Sequence, residues 1–140
     1  MQKVFLDTNI ILDFLGEREK FYDSAAKLIT LADKKLIKIF TSSVSFSNAY
    51  YLLCKYENKK SALEKMRKFK LLCNVSITND EVVEKAINSE FTDFEDALQY
   101  FSAIATGCHL IITRNEKDFK NALIPVMNAE SYLQTLKSKQ

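Results

Sequence analysis

Four aspartates stand where carboxylates can work together. Asp7 closes the apolar run Val4-Phe5-Leu6. Asp93 and Asp96 open the segment that carries Ala97, Leu98, Phe101 and Ala105, and Asp118 lies just after Leu110-Ile111-Ile112. In a parallel α/β sheet these places share one edge, and ligands bind in the crevice outside the carboxyl ends of the strands. Clustered carboxylates repel one another until something positive joins them. Oxygen ligands of this kind suit a hard divalent cation, Mg²⁺ or Mn²⁺. An acidic metal pocket at a sheet edge points to phosphodiester chemistry, so Asp7, Asp96 and Asp118 are expected to converge closely enough to share a cation.

Each acid also has a plain structural account. Asp7 precedes a helix and serves as an N-cap, a role worth about 1 kcal/mol. Asp93 and Asp96 have the N-cap and N3 spacing, and the helix dipole favours both. Asn115 and Asp118 have the same relation. For Asp93 the capping role is sufficient by itself. Asp13, about a turn and a half beyond Asp7, is left outside the constellation, at the rim or in solvent.

Other chemistries are poorly supported. Gly16 and Gly107 are the only glycines, so no Gly-rich loop exists to cradle a phosphate. His109 is the only histidine and begins an apolar run, away from any nucleophile elbow; it reads as structural. Cys54, Cys73 and Cys108 are odd in number and lack Cys-x-x-Cys spacing. They read as reduced core thiols in a cytosolic protein.

The elements that must position these residues follow from periodicity. Strands are expected at 2–6, 37–41, 72–77, 109–113 and 124–127. Helices are expected at 9–15, 21–34, 43–56, 59–70, from Thr78 to about 89, at 95–106 and at 129–137, with a single turn at 115–119. Gly16 is read as a C-cap, and Thr78 with Glu81 as a capping box. In the fifth helix Val83, Ala86 and Ile87 are expected to face inward. Alternating strands and helices imply a mainly parallel sheet covered on both faces. The helices 43–56 and 59–70 look like a hairpin outside the alternation.

A chain of 140 residues with 47% hydrophobic residues is expected to fold as one domain. No run reaches the roughly 20 apolar residues of a membrane span, and the start, with Lys3 leading into a strand, is no signal peptide. The expected location is the cytoplasm. The net charge of +2 excludes little, but its distribution is uneven. Residues 55–70 hold seven cations, and residues 80–96 hold seven acids. A basic segment near an acidic metal pocket is an arrangement that can hold a polyanion, although a solvated helix face is the plainer account, since charged helix surfaces are common.

The segment VFLDTNIILD resembles the opening of a PIN-domain ribonuclease, with Asp7 at the first acidic position. The segment FEDALQYFSAIATGCHLIITRNEKDF resembles the other signature of that family, at Asp96, at Thr113-Arg114-Asn115 and at Asp118-Phe119. The likeness runs from Val4 to about Val126, and implies a single PIN-like domain over 1–140. The implied fold is a three-layer α/β/α domain around a mainly parallel five-stranded sheet. One departure stands out. PIN nucleases usually carry a Glu in the helix after the second strand, and in Ser43-Val44-Ser45-Phe46-Ser47-Asn48-Ala49 that place is taken by Asn48, which resembles one branch of the family. Asn offers a metal a neutral oxygen but no charge.

The resemblance implies a Mg²⁺- or Mn²⁺-dependent endoribonuclease, similar to VapC-type toxins, with Asp7, Asp96 and Asp118 catalytic and metal-binding and Asp93 a further ligand. Thr8, Asn9, Asn48, Thr113 and Asn115 are expected to orient the carboxylates. Arg18, Lys60, Arg67 and Arg114 are candidates to hold the RNA backbone. Tyr50, Tyr51 and Tyr56 could stack bases, though their helical spacing favours the core or a dimer interface. A small antitoxin and a homodimer are the implied protein partners. The competing readings are an RNA-processing nuclease without an antitoxin, a catalytically weak module that binds RNA or protein, and a receiver-type phosphoacceptor domain, which "TRNEKDF" fits less well.

Overall fold

The computed structural model describes residues 1–138; the last two residues of the expected 1–140 domain lie outside the described residues. Its strands are β1 (Gln2–Leu6), β2 (Ile37–Thr41), β3 (Cys73–Val75), β4 (Leu110–Ile112) and β5 (Val126–Met127). Its helices are α1 (Thr8–Leu15), α2 (Tyr22–Asp33), α3 (Ser43–Tyr56), α4 (Lys59–Lys70), α5 (Asp80–Ile87), α6 (Phe94–Thr106) and α7 (Ala129–Lys137), with a 3₁₀ turn at Glu116–Phe119. The strand order is β3-β2-β1-β4-β5. Every pairing is parallel, so the sheet is wholly rather than mainly parallel.

The two faces of the sheet follow from strand alternation. Val4, Leu6, Ile39, Leu110 and Ile112 join a core with Ile10, Ile11, Leu28, Ala49, Phe69 and Tyr132 from α1, α2, α3, α4 and α7. The intervening residues Phe5, Phe40 and Ile111 point the other way, toward Tyr100, Ala103, Cys108 and Phe119. Each strand is apolar on both faces, as a parallel sheet between helical layers requires.

Chain direction then fixes where a site can lie. From β1 the chain moves out through β2 to β3, and later returns to the other side of β1 with β4 and β5. The order reverses at β1, and the crevice at its carboxyl end lies between β1 and its neighbours. Asp7 follows β1 there, Thr41 ends β2, and Thr113 follows β4.

The expected elements recur with small shifts, and some details need correction. The cap of α5 is Asn79, whose side chain accepts from Val82 N; Thr78 lies outside the helix, 3.5 Å from the Ser102 hydroxyl. With the helix start moved by one residue, Val82 and Ala86 turn inward and Ile87 is 65% exposed. Asn115 makes no side-chain cap to the 3₁₀ turn. Gly16 does end α1, but with φ −87°; it is needed because a Cβ there would lie 2.8 Å from the Leu12 carbonyl oxygen. Gly107, at φ +79°, ends α6 in the left-handed conformation that glycine adopts without strain. Cys54, Cys73 and Cys108 are free thiols, and His109 accepts the Lys3 amide on Nδ1 at 2.9 Å, which is a structural role. No helix is long and apolar enough to cross a membrane among the described residues.

The cap correction is testable. Asn79→Ala should cost about 1 kcal/mol, and Thr78→Ala should cost clearly less. Urea denaturation of both variants checks this, and the reverse ranking would restore Thr78 as the cap.

Candidate active site

The site is built outward from Asp7. Its backbone is extended, at φ −69° and ψ 158°, and its amide continues the ladder by donating to the Ile112 carbonyl at 3.0 Å. The chain then turns into α1, and the carboxylate is left 6% exposed at the sheet edge. A carboxylate removed from water needs donors, and neighbouring elements supply them. Oδ1 accepts from Thr8 N at 2.7 Å and from Gln99 Nε2 at 3.0 Å. Oδ2 accepts from Thr113 Oγ1 at 2.7 Å and, more weakly, from Asn9 Nδ2 at 3.4 Å. Burial raises the Asp7 pKa, the bonds from Thr113, Thr8 and Gln99 pull it down, and the charge of Asp118 raises it further.

The donors are themselves held. Ser45 on α3 donates to Gln99 Oε1 at 2.9 Å and lies 2.7 Å from the Thr8 hydroxyl. Thr113 Oγ1 also accepts the Asn115 amide at 3.0 Å, and Asn9 Oδ1 receives the Arg114 amide at 3.4 Å. Thr8, Asn9 and Thr113 thus each donate a hydrogen bond to the Asp7 carboxylate. Ser45 and Gln99 belong to the same network, although sequence reasoning singled out neither. The signal for Gln99 was its spacing: it lies one helical turn beyond Glu95 and Asp96, on a helix whose start carries acids.

The remaining acids face Asp7 across an open cleft of about 400 Å³. Its lining includes Asp7, Asp93, Glu95, Asp96, Asp118, Asn48 and Asn115. Asp93 caps α6 by accepting from Asp96 N at 3.0 Å, so it serves the helix and the cleft together. Burial and the charges of Asp93, Asp7, Asp118 and Glu95 push the Asp96 carboxyl up to about 7. Glu95 is raised by burial and by Asp93 and Asp7, against an opposing hydrogen bond from Asn48. Glu95 is the cleft acid that sequence reasoning missed.

Among the described residues, no lysine or arginine forms an ion pair with any of these five acids. Nor do three of them stand close enough to form a ready-made ligand set. The acids share one cleft but are not drawn together as closely as expected. Drawing them closer would crowd like charges, a cost that a bound cation or proton would offset. The donor chemistry fits Mg²⁺ or Mn²⁺: the acidic groups are all oxygen donors, and their charge is uncompensated.

The expected RNA-binding cations lie elsewhere. Asp13 is neither at the rim nor in solvent but 1% exposed. It accepts from Arg114 Nε at 2.8 Å and lies 3.7 Å from Arg18 Nη1. Arg114 also lies over the Phe21 ring, 4.0 Å from its centroid, so Arg114 and Arg18 are held as counterions to a buried acid. Lys60 and Arg67 sit exposed on α4, and none of the four lines the cleft. Of the three tyrosines, Tyr50 packs against the core. Tyr51 and Tyr56 are 62% and 82% exposed, and Tyr51 lines the cleft.

Comparison with known proteins gives consistent results. Residues 3–117 match the sequence profile of the PIN domain. Ribonuclease VapC1 of Aquifex aeolicus (strain VF5) is 32% identical over 136 residues, covering 94% of this chain and 93% of that protein. The structure of VapBC2 from Rickettsia felis, bound to a DNA fragment from its promoter, superposes with a TM-score of 0.69 at 20% identity, covering 91% of this chain and 98% of that one. VapC20 of Mycobacterium tuberculosis, a toxin that cleaves the sarcin–ricin loop, gives 0.61 at 16% identity, covering 77% and 86%. At these identities the structural likenesses establish the fold.

The raised Asp96 pKa has a consequence for stability. Between the ordinary aspartate value of 3.8 and about 7, the folded state keeps a proton that the unfolded chain has released. This contribution is therefore complete below about pH 4 and lost as the pH rises through about 7. In EDTA, Asp96→Asn should gain stability relative to the wild type across that interval. Denaturation series at stepped pH measure the difference, and a difference that stays flat with pH would contradict the crowding of charge around Asp96.

Proposed function

The chain belongs to the PIN domain family, and from that premise we propose that it is a Mg²⁺- or Mn²⁺-dependent endoribonuclease acting as the toxin of a toxin–antitoxin pair. The observation that carries this reading is the cleft itself, where Asp7, Asp96 and Asp118 gather with Asp93 and no basic partner among the described residues. Such a pocket repels a phosphodiester backbone unless a cation enters with it. The residues that would hold the ion are Asp7, Asp96 and Asp118, with Asp93 at the rim. A bound cation supplies a water of lowered pKa and positive charge against the phosphate.

The chain's own groups divide the remaining work. Three bonds of 3.0 Å or less hold Asp7 in one orientation, and the longer contact from Asn9 is the one most cheaply exchanged for an ion. Asp93, Asp96 and Asp118 are more open and can move inward. Tyr51 offers an exposed ring at the cleft, with Lys55 Nζ 4.6 Å from its centroid, a pairing suited to an unstacked base and its phosphate. The relative named Ribonuclease VapC1 supports RNA as the substrate, and the VapBC structures support a small antitoxin as partner. Asn48 in the cleft favours one alternative, a catalytically weak module that binds RNA.

Incubating a mixed RNA pool with purified protein decides between them. Cleavage is expected with Mg²⁺ or Mn²⁺ and not with EDTA. Asp7→Asn should abolish turnover while preserving the thermal melt. Tyr51→Ala should weaken RNA binding by about 1–3 kcal/mol. Binding without cleavage in either metal would favour the weak module, and cleavage that survives both EDTA and Asp7→Asn would overturn the site.

A further inference from the structure

Resting on the cation reading above, we propose that Glu95 is an additional cation ligand in this cleft and that Asn48 is the residue that positions it. The Asn48 side chain lines the cleft. Its Nδ2 donates to Glu95 Oε1 at 2.6 Å. A carboxylate from the first turn of α6 is thus held in the cleft against α3.

A helix dipole alone would place an acid in this turn, but it would leave the side chain in solvent. Glu95 is instead half-buried, faces Asn48 on another helix, and has no basic partner among the described residues. Asn48 occupies one of its oxygens, and no donor among the described residues holds the other. Half-burying a carboxylate beside Asp93, Asp96 and Asp7 costs stability in the absence of a positive charge. A cation in the cleft offsets that cost and gives the free oxygen a partner. Asn48 has a defined part in this arrangement: a Glu in its place would repel Glu95, whereas the amide attracts it and fixes its direction.

Calorimetric titration with Mn²⁺ alone tests the assignment, using the full chain with melts in EDTA as the folding control. Glu95→Gln keeps an acceptor for the Asn48 amide and removes the charge, so it should weaken Mn²⁺ binding about tenfold or more without lowering the metal-free melting temperature. Asn48→Ala should weaken binding less, and should add little to Glu95→Gln, since both act on one carboxylate. The pair Asn48→Glu with Glu95→Gln moves the charge across to α3 and should recover most of the loss. If Glu95→Gln binds Mn²⁺ like the wild type while Asp96→Asn does not, this assignment fails and the cation reading stands. If the wild type binds no Mn²⁺, both fail.

Discussion

The structure depends on a carboxylate that is almost wholly removed from water. Asp7 ends the central strand of a parallel sheet and is 6% exposed, a position that is costly for an ionised group without donors. Those donors come from the start of α1, from α6 and from the end of β4. Ser45 on α3 joins in at one remove, through Gln99 and Thr8. The need to satisfy one buried acid therefore ties together the parts of the chain that carry the other cleft residues. A displaced donor would both strand a buried charge and loosen the arrangement of the cleft.

A second buried acid supports the first from behind. Asp13 pairs with Arg114, the residue immediately after Thr113. This pair fixes the loop leaving β4 against α1, and with it the Thr113 hydroxyl that holds Asp7. Removing one partner of such a pair leaves an uncompensated buried charge, typically costing about 3–5 kcal/mol. Arg114 is thus engaged with a buried acid, while Tyr51 lines the cleft with an exposed ring.

Much of this was legible in the sequence, for identifiable reasons. The strands declared themselves by short β-branched and apolar runs, and the helices by periodic apolar residues. The placement of Asp7, Asp96 and Asp118 at strand ends and helix starts put them on one edge before any coordinates. The failures share a cause: periodicity gives an element but not its rotation or its partners. A one-residue shift at the Asn79 cap turned Ile87 outward. Asp13 was expected at the rim or in solvent and Glu95 was not singled out, because Arg114 and Asn48, 101 and 47 positions away, cannot be paired with them by local spacing. Gln99 and Ser45 carry no charge to draw attention, and only the fold brings them to Asp7.

The central claim is that the cleft is built for a hard cation that its own side chains do not replace. Diffraction from crystals grown with Mn²⁺, recorded where manganese scatters anomalously, tests it most directly. The account predicts a peak in the cleft at about 2 Å from oxygens of Asp7 and Asp96, with Asp118 and Glu95 drawn inward from their metal-free positions. A cleft without a manganese peak at millimolar Mn²⁺, or with its acids paired to lysine or arginine side chains instead, would contradict it.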